Sequence, residues 1–164
     1  MSHVSSLIMW PFPQESAHPM VVHFPIALLL TAVGLDLAAL LLKRPWLHRP
    51  ALWNLALGTS GAGVAVLTGL RASAVAKHSF EIWQVMELHE RLGMTTFILG
   101  LMVVSWRLVK RDHLTARARM VTSLLTIALA CTLVWGAHLG GRLVYEFGVG
   151  GRFGAPPPHP SHTR

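Results

Sequence analysis

Four long apolar runs divide the chain. Met20–Leu42 is interrupted only by His23 and Asp36, and Ala51–Leu70 carries no charged or imidazole side chain. Leu92–Trp106 also carries none and extends upstream through His89, while Met120–Gly141 is broken only by His138. A hydrocarbon layer of about 30 Å is crossed by roughly 20 helical residues, and each run is of that order. Only helices and closed barrels satisfy their backbone in lipid, and the runs lack the period-two alternation of a barrel strand. The pattern predicts an all-α, four-helix transmembrane bundle, up-and-down, with short connectors at Lys43–Pro50 and Arg107–Arg119. The third connector, Arg71–Arg91, is expected to be the longest loop, with a short amphipathic helix presenting Phe80, Ile82 and Trp83 to the interface. The division expected is an irregular arm over 1–17, the membrane domain over 18–150, and a mobile tail over 151–164. That tail has four prolines in its last ten residues.

Composition agrees. Hydrophobic residues make up 52% and charged residues 13% of 164, against about 25% charged in a soluble domain, and mean hydropathy is +0.50. The single cysteine, Cys131, excludes an internal disulfide and any multi-thiolate zinc site. It lies mid-span and reads as packing. No Cys-x-x-Cys-His string is present, which excludes covalent c-type haem. The start is not a standard signal peptide: no Lys or Arg precedes residue 43, and Pro11 and Pro13 stop the run Leu7–Trp10. The first span is therefore expected to be retained.

A net charge of +7 would suggest nucleic acid, but its distribution points to topology. On the side away from the termini lie eight basic residues: Lys43, Arg44, Arg49, Arg107, Lys110, Arg111, Arg117 and Arg119. They face one acid, Asp112. On the side of the termini, Arg71, Lys77, Arg91, Arg142, Arg152 and Arg164 are offset by Glu15, Glu81, Glu87, Glu90 and Glu146. By the positive-inside rule both termini are expected on the periplasmic side of a bacterial inner membrane, and no nucleic-acid partner is expected.

Ionisable groups inside spans are costly and face the bundle interior. Ten histidines are present, and His18, His23, His89 and His138 fall at one depth near the outer face. His48, His78 and His113 fall in connectors and read as surface residues, as do His159 and His162 in the tail. Imidazole ligates haem iron, zinc and copper. Room for a macrocycle would come from Gly58-Thr-Ser-Gly61-Ala-Gly63 on the second helix and from Gly93 on the third; the same small residues suit plain close packing. Arg142 and Tyr145 are in reach of a carboxylate such as a propionate. Met20, Met86 and Met94 lie near this layer and read as filler. His18 and His23 are five residues apart, about 140° around a helix, so both cannot address one iron. Asp36 is expected in a small network with Arg107 or Arg49. Pro19 and Pro25 are expected to fix the backbone entering the membrane, and Gly140–Gly141 to stop the fourth helix.

Two strings are distinctive: His18-Pro-x-x-Val-His23-Phe-Pro25-Ile-Ala-Leu28, and Gly140-Gly-x-Leu-Val-Tyr145-x-x-Gly-Val-Gly150. Through them, over about residues 17–150, the chain resembles the bacterial predicted membrane proteins of the domain-of-unknown-function 2231 family. The resemblance implies a four-span domain, sometimes found beside c-type cytochrome modules, with a haem-linked redox role. The family pattern maps onto His18, His23, Pro25, His89, Gly140, Gly141 and Tyr145. Many members carry His where this chain has Phe147, and His138 is less regular.

The leading expectation is a small b-type cytochrome, an electron carrier rather than a stand-alone enzyme. It would hold haem b near the periplasmic face between His23 and His89, with His18 and His138 as the alternative pair or as neighbours. Its partners would be the lipid bilayer, a c-type cytochrome or a quinol, and other membrane subunits. Two other readings stand beside it. One is a non-redox accessory subunit; the other is a copper or zinc site of His18, His23, His89 and His138.

Overall fold

The computed structural model describes residues 14–75, 79–110 and 116–149. The outer part of the arm and the tail lie outside the described residues. The described chain is all-helical: α1 Gln14–Leu41, α2 His48–Val75, α3 Phe80–Lys110 and α4 Ala116–Tyr145, with a single 3-10 turn at Pro45–Leu47 before α2. All four helices are long and apolar enough to cross a membrane. Only 22–33% of the residues in their most apolar windows are buried inside the bundle. The remaining apolar side chains, Leu40, Trp53, Leu67, Ile98, Leu124 and Val134 among them, point outward. In water such a surface would aggregate; in a bilayer it is solvated.

The helices pack in order around a square. Contact is most extensive between α1 and α2, then between α3 and α4, then between α2 and α3, and slightest between α1 and α4. Among the described residues the diagonal helices make no close backbone approach and meet only through side chains. The start of α1 and the end of α4 therefore share one end of the bundle, here the terminal end; the opposite is the hairpin end. Leu29, Leu55, Val103 and Leu129, all fully buried, bring one side chain from each helix to the central core.

The connectors correct the sequence reading. α2 runs on to Val75 and α3 begins at Phe80, so the expected long loop over Arg71–Arg91 is helical in nearly all its described length. Residues 71–91 contain neither Gly nor Pro, and charge alone does not end a helix once it leaves the hydrocarbon. The expected short amphipathic helix is the first turn of α3, entered at Ser79, whose carbonyl accepts from the Trp83 N–H at 3.0 Å. Gly140–Gly141 does not stop α4, which continues to Tyr145. The chain turns instead at Gly148 (φ 65°), where the Val149 N–H reaches back to the Leu143 carbonyl at 2.8 Å. Pro19 and Pro25 both lie inside α1 rather than at its entry. At the hairpin end, Lys43 takes φ 53° and the Arg44 N–H closes on the Ala39 carbonyl at 3.0 Å, a Schellman stop sealed by Pro45.

The hairpin end is pinned by charge. Arg107 of α3 donates to both Asp36 carboxylate oxygens, at 2.5 and 2.9 Å, and to the His48 carbonyl at 3.3 Å. The His48 ring bonds Asp36 through Nδ1 at 2.9 Å. The expected partnership of Asp36 with Arg107 is present. His48, read as a surface residue, is instead the third member, joining α2 to α1 and α3.

Candidate functional site

At the terminal end the four helices enclose a cavity of about 410 Å³, within the range of small-molecule and cofactor sites. Its walls are mostly apolar. Its polar groups include three imidazoles, Glu90 and the threonine pair Thr96–Thr132, whose hydroxyls bond at 3.0 Å. Next to it, between the end of α2 and the start of α3, lies a second cleft of about 200 Å³ lined by Ser73, Trp83, Glu87 and Glu90.

Two of the imidazoles, His18 of α1 and His89 of α3, meet. Their ring centroids are 6.1 Å apart and their planes cross at 79°. Each is held through Nδ1. The Thr68 hydroxyl spends its proton on the Ala65 carbonyl at 3.0 Å, so at 3.1 Å its oxygen accepts from His18 Nδ1–H. The Gly136 carbonyl accepts from His89 Nδ1–H at 2.8 Å. A ring whose Nδ1 donates to a fixed acceptor presents the Nε2 lone pair. This is the arrangement that orients imidazole ligands in metalloproteins.

Both rings lie against glycine. A Cβ at Gly69 of α2 would come within 3.0 Å of His18 Cε1, and one at Gly140 of α4 within 2.9 Å of His89 Cε1. Gly140 therefore makes a seat for an imidazole rather than a helix stop.

The other expected residues are placed differently. His23 lines the cavity but is exposed, and its Nδ1 bonds the Pro19 carbonyl of its own helix at 2.6 Å. His138 is exposed outside the cavity, its ring against Trp135 at 5.9 Å. The rings that meet are thus His18 and His89, not His23 and His89. The four histidines do not converge, and among the described residues no three His, Cys, Asp or Glu side chains form a metal-binding group. The copper or zinc site expected from all four is not assembled, because the 140° between His18 and His23 turns one of them outward. Gly93 lines the cavity with open space where a Cβ would stand, as expected of a residue that makes room. Gly61 does not line it; it lets α2 close on Pro25 and Phe24, at 3.3 and 3.4 Å. Arg142 is paired with Glu146 at 2.9 Å, while Tyr145 lies at the cavity rim, 86% exposed.

Three contributors escaped the sequence reading: Thr68, Gly69 and the Gly136 carbonyl. Gly136-Ala-His-Leu-Gly140 is a Gly-x-x-x-Gly string on an apolar helix, a signal for close helix approach that was there to be used.

Fold and outward-facing apolar surface define a multi-pass, four-span membrane protein. Its family is the one described as predicted membrane protein (DUF2231), which matches residues 14–152, and the chain belongs to it. The resemblance carried by the two terminal strings is thereby borne out. No curated protein and no solved structure matches the chain.

Proposed function

We propose that this protein is a membrane b-type cytochrome that holds haem b between His18 and His89 near its terminal end. The observation that carries this reading is the imidazole pair with both Nδ1 atoms tied down. Two imidazoles ligating one metal from opposite sides place their centroids about 6 Å apart, from bonds of about 2 Å and about 1 Å from nitrogen to ring centre. The rings stand at 6.1 Å. The apolar cavity around them, with open space at Gly93, would take a flat macrocycle. Haem held by His18 and His89 would supply one-electron transfer.

The chain's own residues do the rest. Thr68 and Gly136 fix the tautomers, Gly69 and Gly140 set the rings' depth, and Leu133 and Ile26 keep water out. Tyr145 and His23 stand at the rim, where they would meet a propionate. The charge asymmetry supports a periplasmic terminal end, and a c-type cytochrome or a quinol, within a larger membrane assembly, is the matching redox partner.

The test is an absorption spectrum of the purified, detergent-solubilised protein, oxidised and then dithionite-reduced. A Soret band with a low-spin bis-imidazole spectrum and stoichiometric iron is expected. His18→Ala and His89→Ala should each lose it; His23→Ala and His138→Ala should keep it. A haem-free wild type, or full haem in the first two variants, removes the assignment and leaves a non-redox accessory subunit.

A further inference from the structure

The cavity is lined from all four helices, and the contact between them is slightest at α1 and α4. On α4, Gly136 and Gly140 face α3, toward Leu92 and His89. Yet the lining carries on one residue further around the helix, to Ala137 and Gly141, about 100° away from that face. On α1, His18 and Pro25 face α2, toward Gly69 and Gly61. There too the lining carries on around the helix, to Pro19, His23 and Ile26. These two extra edges border the α1–α4 seam, where helix contact is slightest. His23 both lines the cavity and is exposed, so the cavity reaches the bundle's outer surface there. Its neighbours Met20 and Phe24 are each 61% exposed and apolar. The medium outside the seam is therefore lipid.

We propose that the α1–α4 seam is a lateral portal through which the cavity takes up its ligand from the bilayer. The inference rests on the haem reading and deepens it by naming the route. Ala137 and Gly141 offer almost no side chain to obstruct a planar, lipid-dissolved macrocycle, and His23 and Tyr145 would meet its polar edge. The competing route is from water, through the cleft of Ser73, Glu87 and Glu90. That cleft is the more polar entrance, and the lining shared at Ser73 and Glu90 joins it to the cavity.

The two routes are separable by reversible plugs placed after folding. In a Cys131→Ser background, which removes the exposed native thiol, Ala137→Cys puts a thiol in the seam and Glu87→Cys puts one in the cleft. Each protein, reconstituted haem-free in phosphatidylcholine vesicles, is labelled with a bulky methanethiosulfonate. Hemin is added in the same lipid, and uptake is followed by growth of the Soret band. The label at residue 137 should slow uptake at least tenfold, and dithiothreitol should restore the rate. The label at residue 87 should change it less than twofold. Slowing by the residue-87 label, alone or together with the other, overturns the lateral route, and so does no slowing by the residue-137 label. If unlabelled protein takes up no hemin at all, the haem reading has failed, which is a different result from a misplaced door.

Discussion

Breaking the ion pair at the hairpin end separates two accounts of what holds this bundle together. Asp36 and Arg107 have side chains only 14% and 8% exposed, so solvent screens them little. Among the described residues, Arg107→Met leaves Asp36 only the His48 ring, and Asp36→Leu leaves Arg107 only the His48 carbonyl. Removing one member of a buried pair typically costs about 3–5 kcal/mol, because the survivor keeps its desolvation without its partner. Replacing both with apolar residues of similar volume is commonly neutral or stabilising by about 1–4 kcal/mol. Each single variant should therefore lose about 3–5 kcal/mol, and the double variant should return to within about 1 kcal/mol of wild type. The coupling energy should thus far exceed the few tenths expected of independent sites. Unfolding in mixed micelles titrated with sodium dodecyl sulfate, followed by tryptophan fluorescence, measures all four corners of the cycle. Additive losses in the double variant would refute the argument, since they would mean that each charge is served by water or lipid headgroups rather than by the other.

The site yields further expectations. Thr68→Val removes the acceptor for His18 Nδ1 and should weaken hemin affinity about 10–100-fold, as loss of a ligand-orienting bond does, with helicity by circular dichroism unchanged. Gly140→Ala places a methyl within 2.9 Å of the His89 ring; the ring must move, and a hemin titration should show at least tenfold weaker binding in a protein that still folds. In a Cys131→Ser background, a cysteine at Glu146 should react with a membrane-impermeant maleimide added to intact cells and one at Arg44 should not, as the positive-inside reading requires. The opposite labelling pattern would invert the topology.

What the sequence displayed was depth; what it withheld was rotation. The four spans are legible because a run without charge has one cheap place to be. Helix ends are less so, because hydropathy reports the edge of the hydrocarbon, whereas the helix ends at a backbone event such as Lys43 or Gly148. The histidine layer was visible as a set of residues at one level, and the spacing of His18 and His23 showed that only one of them can face inward. Which one depends on the roll of α1, set by Pro25 against Gly61 and by His18 against Gly69. No pattern within α1 encodes that. His48 was misread for a related reason. Its partner Asp36 lies across a turn, and the sequence around His48 looks like any polar connector.

The two ends of the bundle are built on opposite logic, and each depends on the other. In water, an apolar cavity of this size would be costly, because the surrounding core collapses only in part. Between helices in lipid there is no hydrophobic force to close it, and association rests on van der Waals packing and polar contacts. A bundle that keeps a cavity at its terminal end must therefore take its cohesion from elsewhere. The Asp36–Arg107–His48 clasp supplies it at the hairpin end, tying α1, α2 and α3 where the core is solid. With α1 held there and along α2, its terminal half can stand away from α4 without leaving the bundle. Loosening the clasp should thus be felt at the far end, as a wider seam and less well-aligned imidazoles, even though no residue of the clasp touches the cavity.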